Sequence, residues 1–375
     1  MKETIFKRIA LLFSNRGIQT FFVGGCVRDL ILGQESDDID ICLVGVTDKS
    51  VVVEILSQFT SDIAEEVGNT FPVWIANLPT VGKTDFALAR SERKTGDNHR
   101  DFVCDVQNVS IVDDLVRRDL TINAIAMDVL TGQIVDPFGG KAHLAARIAH
   151  PVSEAFAEDP LRVLRAARFI SRFNLVPTAS LKDMCRKLSF QHISGERIGQ
   201  ELKKVLTQGV SFSSFFRFLN EVDWTGILAE TNGNLFFRPI NVTTVTGRLV
   251  DMVLTMGDAA FTSMTTRISF MDKSFVRKVI ALSKIVNSTT RRFVRQVIVS
   301  QIPLEMLNEE VCPCSISEIE QLLNDGSMNP IVTGNTLIQL GMRPGKEMKV
   351  ILDRCLAFQD DGILNTDNWS TFVTM

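Results

Sequence analysis

Apolar positions change period along this chain, and the change divides it. Between Met1 and Phe13, the residues Phe6, Ile9 and Phe13 recur at helical spacing, predicting an amphipathic helix. Residues 20–23 then read as a strand, 26–32 as a short helix stopped at Gly33, and 39–46 as a buried strand. Val52, Ile55, Leu56 and Phe59 share one helical face across residues 50–61. Residues 70–78 and 85–88 read as further strands, and 91–102 as a polar, charged loop. Leu120, Ile122, Ala124 and Ile125 predict a helix across residues 119–129. A strand at 132–136 runs into a Pro137, Gly139, Gly140 cluster, which marks the strongest domain boundary. Before it strands and helices alternate; after it the pattern is almost entirely helical. The expected class is α+β, a small mixed sheet with helices followed by an all-helical remainder.

Composition changes this picture little. A chain of 375 residues is too long for one ordinary core, so several domains or subdomains are expected. Hydrophobic residues at 45% and charged residues at 22% describe a soluble globular protein. The apolar run before Phe13 is too short for a signal-peptide core, and no stretch reaches a membrane span. The 7 cysteines lack metal-ligand spacing, and Cys312-Pro313-Cys314 is too tight for a zinc knuckle. Reduced thiols in a cytoplasmic protein are the simplest account.

A net charge of −4 excludes wholesale polyanion binding, but its distribution matters more. From Arg162 to Lys204 ten Lys/Arg face three Asp/Glu, and from Lys273 to Arg295 seven Lys/Arg face none. Local basic surfaces on an acidic chain suit a nucleic acid held at particular places, although each run can also be a solvated helix face.

Three constellations carry chemistry. Asp38 and Asp40 lie two apart, so on a strand they project together while Ile39, Ile41 and Leu43 face the core. Paired carboxylates suit Mg²⁺. Just upstream, Gly24 and Gly25 allow close approach of an anion, and Arg28 offers a planar fork for phosphate. Either feature alone is an ordinary turn or strand end; together they equip a site for phosphoryl or nucleotidyl transfer. Second, Arg117-Arg118-Asp119 with Asn123 can hold a phosphate and ribose hydroxyls, or can simply cap a helix. Third, Asp159, Arg162, Arg165 and Arg168 recur every three residues around a helix start at Pro160. Such an Asp and Arg can read the edge of a base; the alternative is an intrahelical ion pair.

Five blocks now stand in order. They are Gly24-Gly25-Cys26-Val27-Arg28-Asp29 with Asp38-Ile39-Asp40, the run Arg117 to Ala124, and Asp136-Pro137-Phe138-Gly139-Gly140. Glu158-Asp159-Pro160-Leu161-Arg162 and Ser194-Gly195-Glu196-Arg197-Ile198 follow. As a set, over residues 20–206, they resemble the class II transfer-RNA nucleotidyltransferases (CCA-adding enzymes) of the bacterial CCA/poly(A)-polymerase family. The resemblance implies a nucleotidyltransferase catalytic head at 1–139, a helical neck for base recognition at 140–210, and a helical, tRNA-binding body and tail at 211–375. It implies template-independent addition of C, C and A to tRNA 3′ ends from CTP and ATP, with pyrophosphate release. Asp38 and Asp40 would bind two Mg²⁺, with Asp85 as a further catalytic carboxylate. Gly25 and Arg28 would hold the triphosphate, and Arg118, Asp119 and Asn123 the sugar and phosphates. Asp159 and Arg162 would pair with the base, supported by Arg165 and Arg168. The loop at 91–102 matches the element that switches the site from CTP to ATP. The four histidines, His99, His143, His150 and His192, include no His-Asp pair, so no appended phosphohydrolase activity is expected. Within the same resemblance a poly(A) polymerase or a catalytically idle RNA-binding relative are the alternatives.

Overall fold

The computed structural model describes residues 2–36, 38–67, 72–94, 102–105, 109–209, 211–228, 244–268, 271–286, 290–308, 311–324 and 328–373. Contacts divide it into two units, Met1–Ile227 and Leu228–Met375.

The first unit begins with α1 (Lys2–Ser14), whose stripe of Phe6, Ile9, Ala10 and Phe13 is buried. It leads into β1 (Gln19–Val23), α2 (Gly25–Ile31), β2 (Ile39–Val44) and α3 (Ser50–Leu56). Next come β3 (Ile63–Val67), β4 (Pro72–Leu78) and β5 (Gly82–Leu88), then the hairpin strands β6 (Ser91–Lys94) and β7 (Phe102–Asp105). After α4 (Ile111–Val116) the short strands β8 (Ala126–Asp128) and β9 (Ile134–Val135) complete the sheet. Seven strands form one mixed sheet in the order β3-β4-β5-β2-β1-β8-β9. β2 runs parallel to β5 and antiparallel to β1.

Alternation along the strands sorts side chains to two faces. On one face Ile41, Leu43, Trp74, Phe86 and Leu88 join α1 and α3 in a core. On the other, Phe21, Val23, Cys42, Ala124 and Ala126 pack with Leu115 of α4. Asp40 shares the parity of Cys42, so it belongs to this second face. The β2–β5 register sets Asp40 directly opposite Asp85.

Helices follow: α5 (Gly140–Ala145), α6 (Leu161–Phe173), α7 (Ala179–Arg186), α8 (Gly195–Gln208) and α9 (Phe212–Glu221). α6 is the hub. Its Val163, Leu164, Ala166, Ala167 and Ile170 are buried, and it packs on both α8 and α9.

Two sequence expectations are corrected, and a third region is described. Residues 119–129 are not a helix: α4 ends before Arg117, one 3-10 turn spans Thr121–Asn123, and β8 follows. Leu120, Ile122, Ala124, Ile125 and Ala126 are all fully buried, and a run buried on every side has no period to read. The segment 91–102 is not wholly loop, because Ser91–Lys94 pairs antiparallel with Phe102–Asp105; residues 95–101 lie outside the described residues. The Gly/Pro cluster is a packed turn. Asp136 accepts from the amides of Gly140 and Lys141 at 2.7 and 2.9 Å. A Cβ on Gly140 would stand 2.2 Å from the Thr121 carbonyl oxygen, so only glycine fits. The strand Ile63–Val67, centred on two glutamates, was not foreseen.

The second unit is helical among its described residues: α10 (Val245–Met256), α11 (Asp258–Arg267), α12 (Lys273–Ser283), α13 (Thr290–Val299), α14 (Ile316–Asn324), α15 (Gly334–Gln339), α16 (Lys346–Asp360) and α17 (Trp369–Val373). The basic run falls on α12 and α13, and distant acids neutralise part of it. Lys284 meets Asp258 at 2.7 Å and Arg292 meets Asp361 at 2.6 Å. Arg295 forks onto both oxygens of Asp360, at 2.6 and 2.7 Å. No described helix is long and apolar enough to cross a membrane.

Candidate active site

Two clusters lie on the second face of the sheet, and Arg118 stands between them. The first is a carboxylate corner. Asp38 immediately precedes β2, Asp40 is the second residue of that strand, and Asp85 is its parallel neighbour on β5. Asp38 and Asp40 are exposed. Protein crowding nonetheless dominates the Asp40 carboxyl and pushes it above the usual carboxylate range; Arg118 opposes, while Asp85 and Asp38 add repulsion. Asp85 Oδ1 is buried without a hydrogen-bond partner, and its nearest cation, Lys83, is 3.7 Å away. An orphaned carboxylate oxygen beside two open carboxylates is a donor set suited to a hard divalent cation. These side chains are not drawn together as a ligand set: among the described residues no three His, Cys, Asp or Glu are clustered for a metal ion.

The second cluster is a cavity of about 320 Å³. Arg117, Arg118, Arg162, Arg165 and Arg197 line it, with Asp119, Asn123, Asp159 and Leu161. Five arginines and two aspartates make the lining net positive, which suits an anion. Buried Asp114 anchors its head side. One Asp114 oxygen accepts from Arg117 at 2.5 Å and the other from Arg118 at 2.9 Å. Gly24, at φ 71°, lies against the Arg118 guanidinium: a Cβ there would stand 2.7 Å from Nη1. The Gly-Gly turn thus leaves room for Arg118 between cavity and carboxylates, and Gly25 opens α2.

Several residues expected to touch a nucleotide also contact one another. Arg28 is buried; it donates to Asp29 at 2.8 Å and to Asn123 at 2.5 Å, and stacks over Phe173 at 4.6 Å. Its guanidinium is thus engaged by Asp29 and Asn123 within the protein. Asn123 passes the chain on, donating to Asp119 at 3.0 Å. Asp119 also accepts from the Leu120 amide at 2.8 Å and from Arg165 at 2.8 Å. Burial alone would raise the Asp119 carboxyl, but Arg165, Asn123 and the Leu120 amide outweigh it and hold it far below the usual range. Asp119 and Asn123 therefore reach the cavity with most of their hydrogen-bonding capacity used. Arg168 is buried on Glu201 at 2.6 Å and does not line the cavity. A three-residue spacing drifts by about 60° per step on a helix, which turns Arg168 inward while Arg162 and Arg165 stay at the cavity wall.

Asp159 and Arg162 do both line the cavity, joined through the backbone by the Arg162 amide donating to the Asp159 carbonyl at 2.9 Å. Arg162 donates to the Ala155 carbonyl. Asp159 is held by Arg197, from α8. Arg197 stands in the fifth sequence block but was given no role there, and Glu201 was not singled out. The available signal was an acid inside the apolar stripe of Ile198, Leu202 and Val205, since a buried carboxylate needs a cation.

Residues 20–149 match the family model described as the Poly A polymerase head domain. That span holds the carboxylate corner and the head side of the cavity. The chain is 41% identical over 227 residues to a multifunctional CCA protein of Haemophilus ducreyi, covering 58% of this chain and 52% of that one. It is 40% identical over 231 residues to a CCA-adding enzyme of Alteromonas mediterranea, covering 58% and 54%. The chain thus spans about half the length of the curated relatives it matches. The fold is that of solved CCA-adding enzymes. The Bacillus stearothermophilus enzyme in complex with CTP superposes with a TM-score of 0.65 at 21% identity, over 98% of this chain and 96% of that one. The Thermotoga maritima enzyme complexed with tRNA gives 0.62 at 20% identity, over 99% and 94%.

Proposed function

We propose that this protein adds C, C and A to the 3′ end of tRNA, without a template, from CTP and ATP. The observation that carries the reading is the placement of Arg118, which joins a carboxylate corner to a positive cavity bearing Asp159 and Arg162. In this reading residues 1–139 are the catalytic head, 140–210 the base-recognising neck, and 211–375 the tRNA-binding body and tail of a cytoplasmic enzyme. Asp38 and Asp40 would hold Mg²⁺, which supplies Lewis acidity for activating a terminal hydroxyl and for stabilising departing pyrophosphate. Asp85 adds negative charge beside them. Arg118 and Arg117 neutralise the triphosphate, with the Gly24-Gly25 turn letting it approach.

Asp159 and Arg162 select the base. Cytosine and adenine each present an amine donor beside a ring-nitrogen acceptor, whereas uracil and guanine present the reverse. A carboxylate that accepts beside a guanidinium that donates therefore favours C and A. Arg28, Asn123, Asp119, Arg165, Arg168 and Glu201 hold the wall that carries these groups. The test is purified protein with tRNAs ending before, within and after CCA, offered each nucleotide singly. Stepwise C, C, A addition is expected. Use of ATP alone would assign a poly(A) polymerase, and binding without incorporation an idle relative.

A further inference from the structure

We infer that Arg197 is a specificity-determining positioning residue: it fixes Asp159 so that a single acceptor site faces the incoming base. The inference deepens the proposed function and rests on the reading of the cavity as the base site.

Arg197 is the third residue of α8, in the first turn of that helix, and α8 packs against α6. Its Nη2 donates to Asp159 Oδ2 at 2.7 Å and its Nη1 to Oδ1 at 3.3 Å. This two-pronged contact sets both the direction and the plane of the carboxylate. Oδ1 also accepts from the Leu161 amide at 3.1 Å, at the start of α6. A carboxylate offers about four acceptor positions. Arg197 takes one on each oxygen and the Leu161 amide takes the second on Oδ1. One position on Oδ2 is left. A single remaining acceptor matches the single N–H that an exocyclic amine turns toward a partner on the base-pairing edge.

The alternative, Asp159 held only by its own helix, would leave the carboxylate free to rotate about its side-chain bonds. A rotating carboxylate can still accept from an amine, but it no longer stands at a fixed offset from Arg162. Discrimination depends on that offset, because a base with reversed donors and acceptors must be denied any good fit. The charge balance points the same way. Five arginines line the cavity, and Arg197 is the one whose fork is engaged on the proposed reading carboxylate. Arg197 and Asp159 side chains are 27% and 21% exposed, so the pair stands at the cavity wall rather than in the core.

The experiment compares Arg197→Met and Arg197→Lys with wild type on tRNA lacking its CCA end, measuring kcat/KM for CTP, ATP, UTP and GTP. Loss of the fork should reduce preference for CTP and ATP over UTP and GTP by about tenfold or more. Arg197→Lys keeps the charge but not the two-pronged geometry, so it should not restore preference. Asp159→Asn combined with Arg197→Met should lose no more preference than the worse single variant. A merely structural ion pair predicts a lower melting temperature with unchanged preference. Unchanged preference in folded Arg197→Lys, or additive losses in the double variant, overturns the inference. Absence of CTP and ATP incorporation by wild type overturns the proposed function, and this inference with it.

Discussion

The carboxylate corner and the arginine network lie on the same side of one sheet, yet they are built on opposite principles. In the corner, Asp38 and Asp40 are open, Asp85 carries an unpartnered buried oxygen, and the three repel one another. In the network, every charge is answered: Asp29 to Arg28, Arg28 to Asn123, Asn123 to Asp119, Asp119 to Arg165, and Arg168 to Glu201. Unsatisfied groups are costly in a folded protein and persist where a ligand completes them. Satisfied groups hold geometry. The comparison divides residues of the same chemical type into those that meet a ligand and those that place them.

The largest expected effect lies in the corner. Asp40→Ala should abolish nucleotide transfer, by at least about three orders of magnitude, while leaving the fold and tRNA binding intact. Removing one of several like charges relieves repulsion, so thermal stability should hold or rise slightly. Near-normal turnover by a folded Asp40→Ala protein would remove the corner from the chemistry.

The network should respond the other way. Glu201→Ala leaves Arg168 buried without its partner, and breaking such a pair costs about 3–5 kcal/mol. The urea midpoint should fall accordingly, with activity tracking the folded fraction. Asp119 gives the same contrast a pH dependence. Its carboxyl is held far below the usual range, so its contribution is complete above an unfolded value near about 4 and is lost only as pH falls through the depressed folded value. The stability gap between wild type and Asp119→Asn should therefore be constant from neutral pH down to about 5 and close in stronger acid. A gap that closes between about pH 5 and 7 would mean that Asp119 is not the strongly paired acid the structure describes.

This division also explains what the sequence could and could not convey. The placement of Asp40, Gly24 and Gly25 was readable because their neighbours along the chain set it, by a strand parity and a turn, whereas Asp38 lies just before β2 and outside that parity. Asp85 was placed beside Asp40 by resemblance, and the parallel register supplies the physical reason. The internal contacts of Arg28 with Phe173 and of Arg168 with Glu201 are invisible in a linear string, because only packing brings those partners together. The 119–129 segment failed for a related cause. Its residues are buried on all sides, and periodicity vanishes where there is no solvent face. Arg197 meets Asp159 across 38 residues, a distance no local pattern spans.

Gly24 tests the place where the two regions meet. Its φ of 71° with ψ of −122° is a conformation for glycine, so Gly24→Ala should cost about 1–3 kcal/mol. The added methyl would also meet the end of the Arg118 side chain and push it from its position between cavity and corner. KM for the nucleotide should therefore rise beyond what the stability loss explains. A stability loss with unchanged KM would show that Arg118 does not bridge the two regions.

The smallest effect is expected at Lys83, and it sharpens the comparison because the residue is an ion-pair partner in the open region. Its ammonium lies 3.7 Å from Asp85 Oδ1 and is 64% exposed, unlike the buried pairs of the network. Water screens such a contact, and exposed pairs contribute about 0–1 kcal/mol. Lys83→Met should thus leave the urea midpoint almost unchanged. If Lys83 were holding the corner together as Glu201 holds α6 to α8, the same substitution would cost several kcal/mol, on the order of a broken buried pair. A measured loss of that size would move Asp85 from the set of groups awaiting a ligand to the set already satisfied.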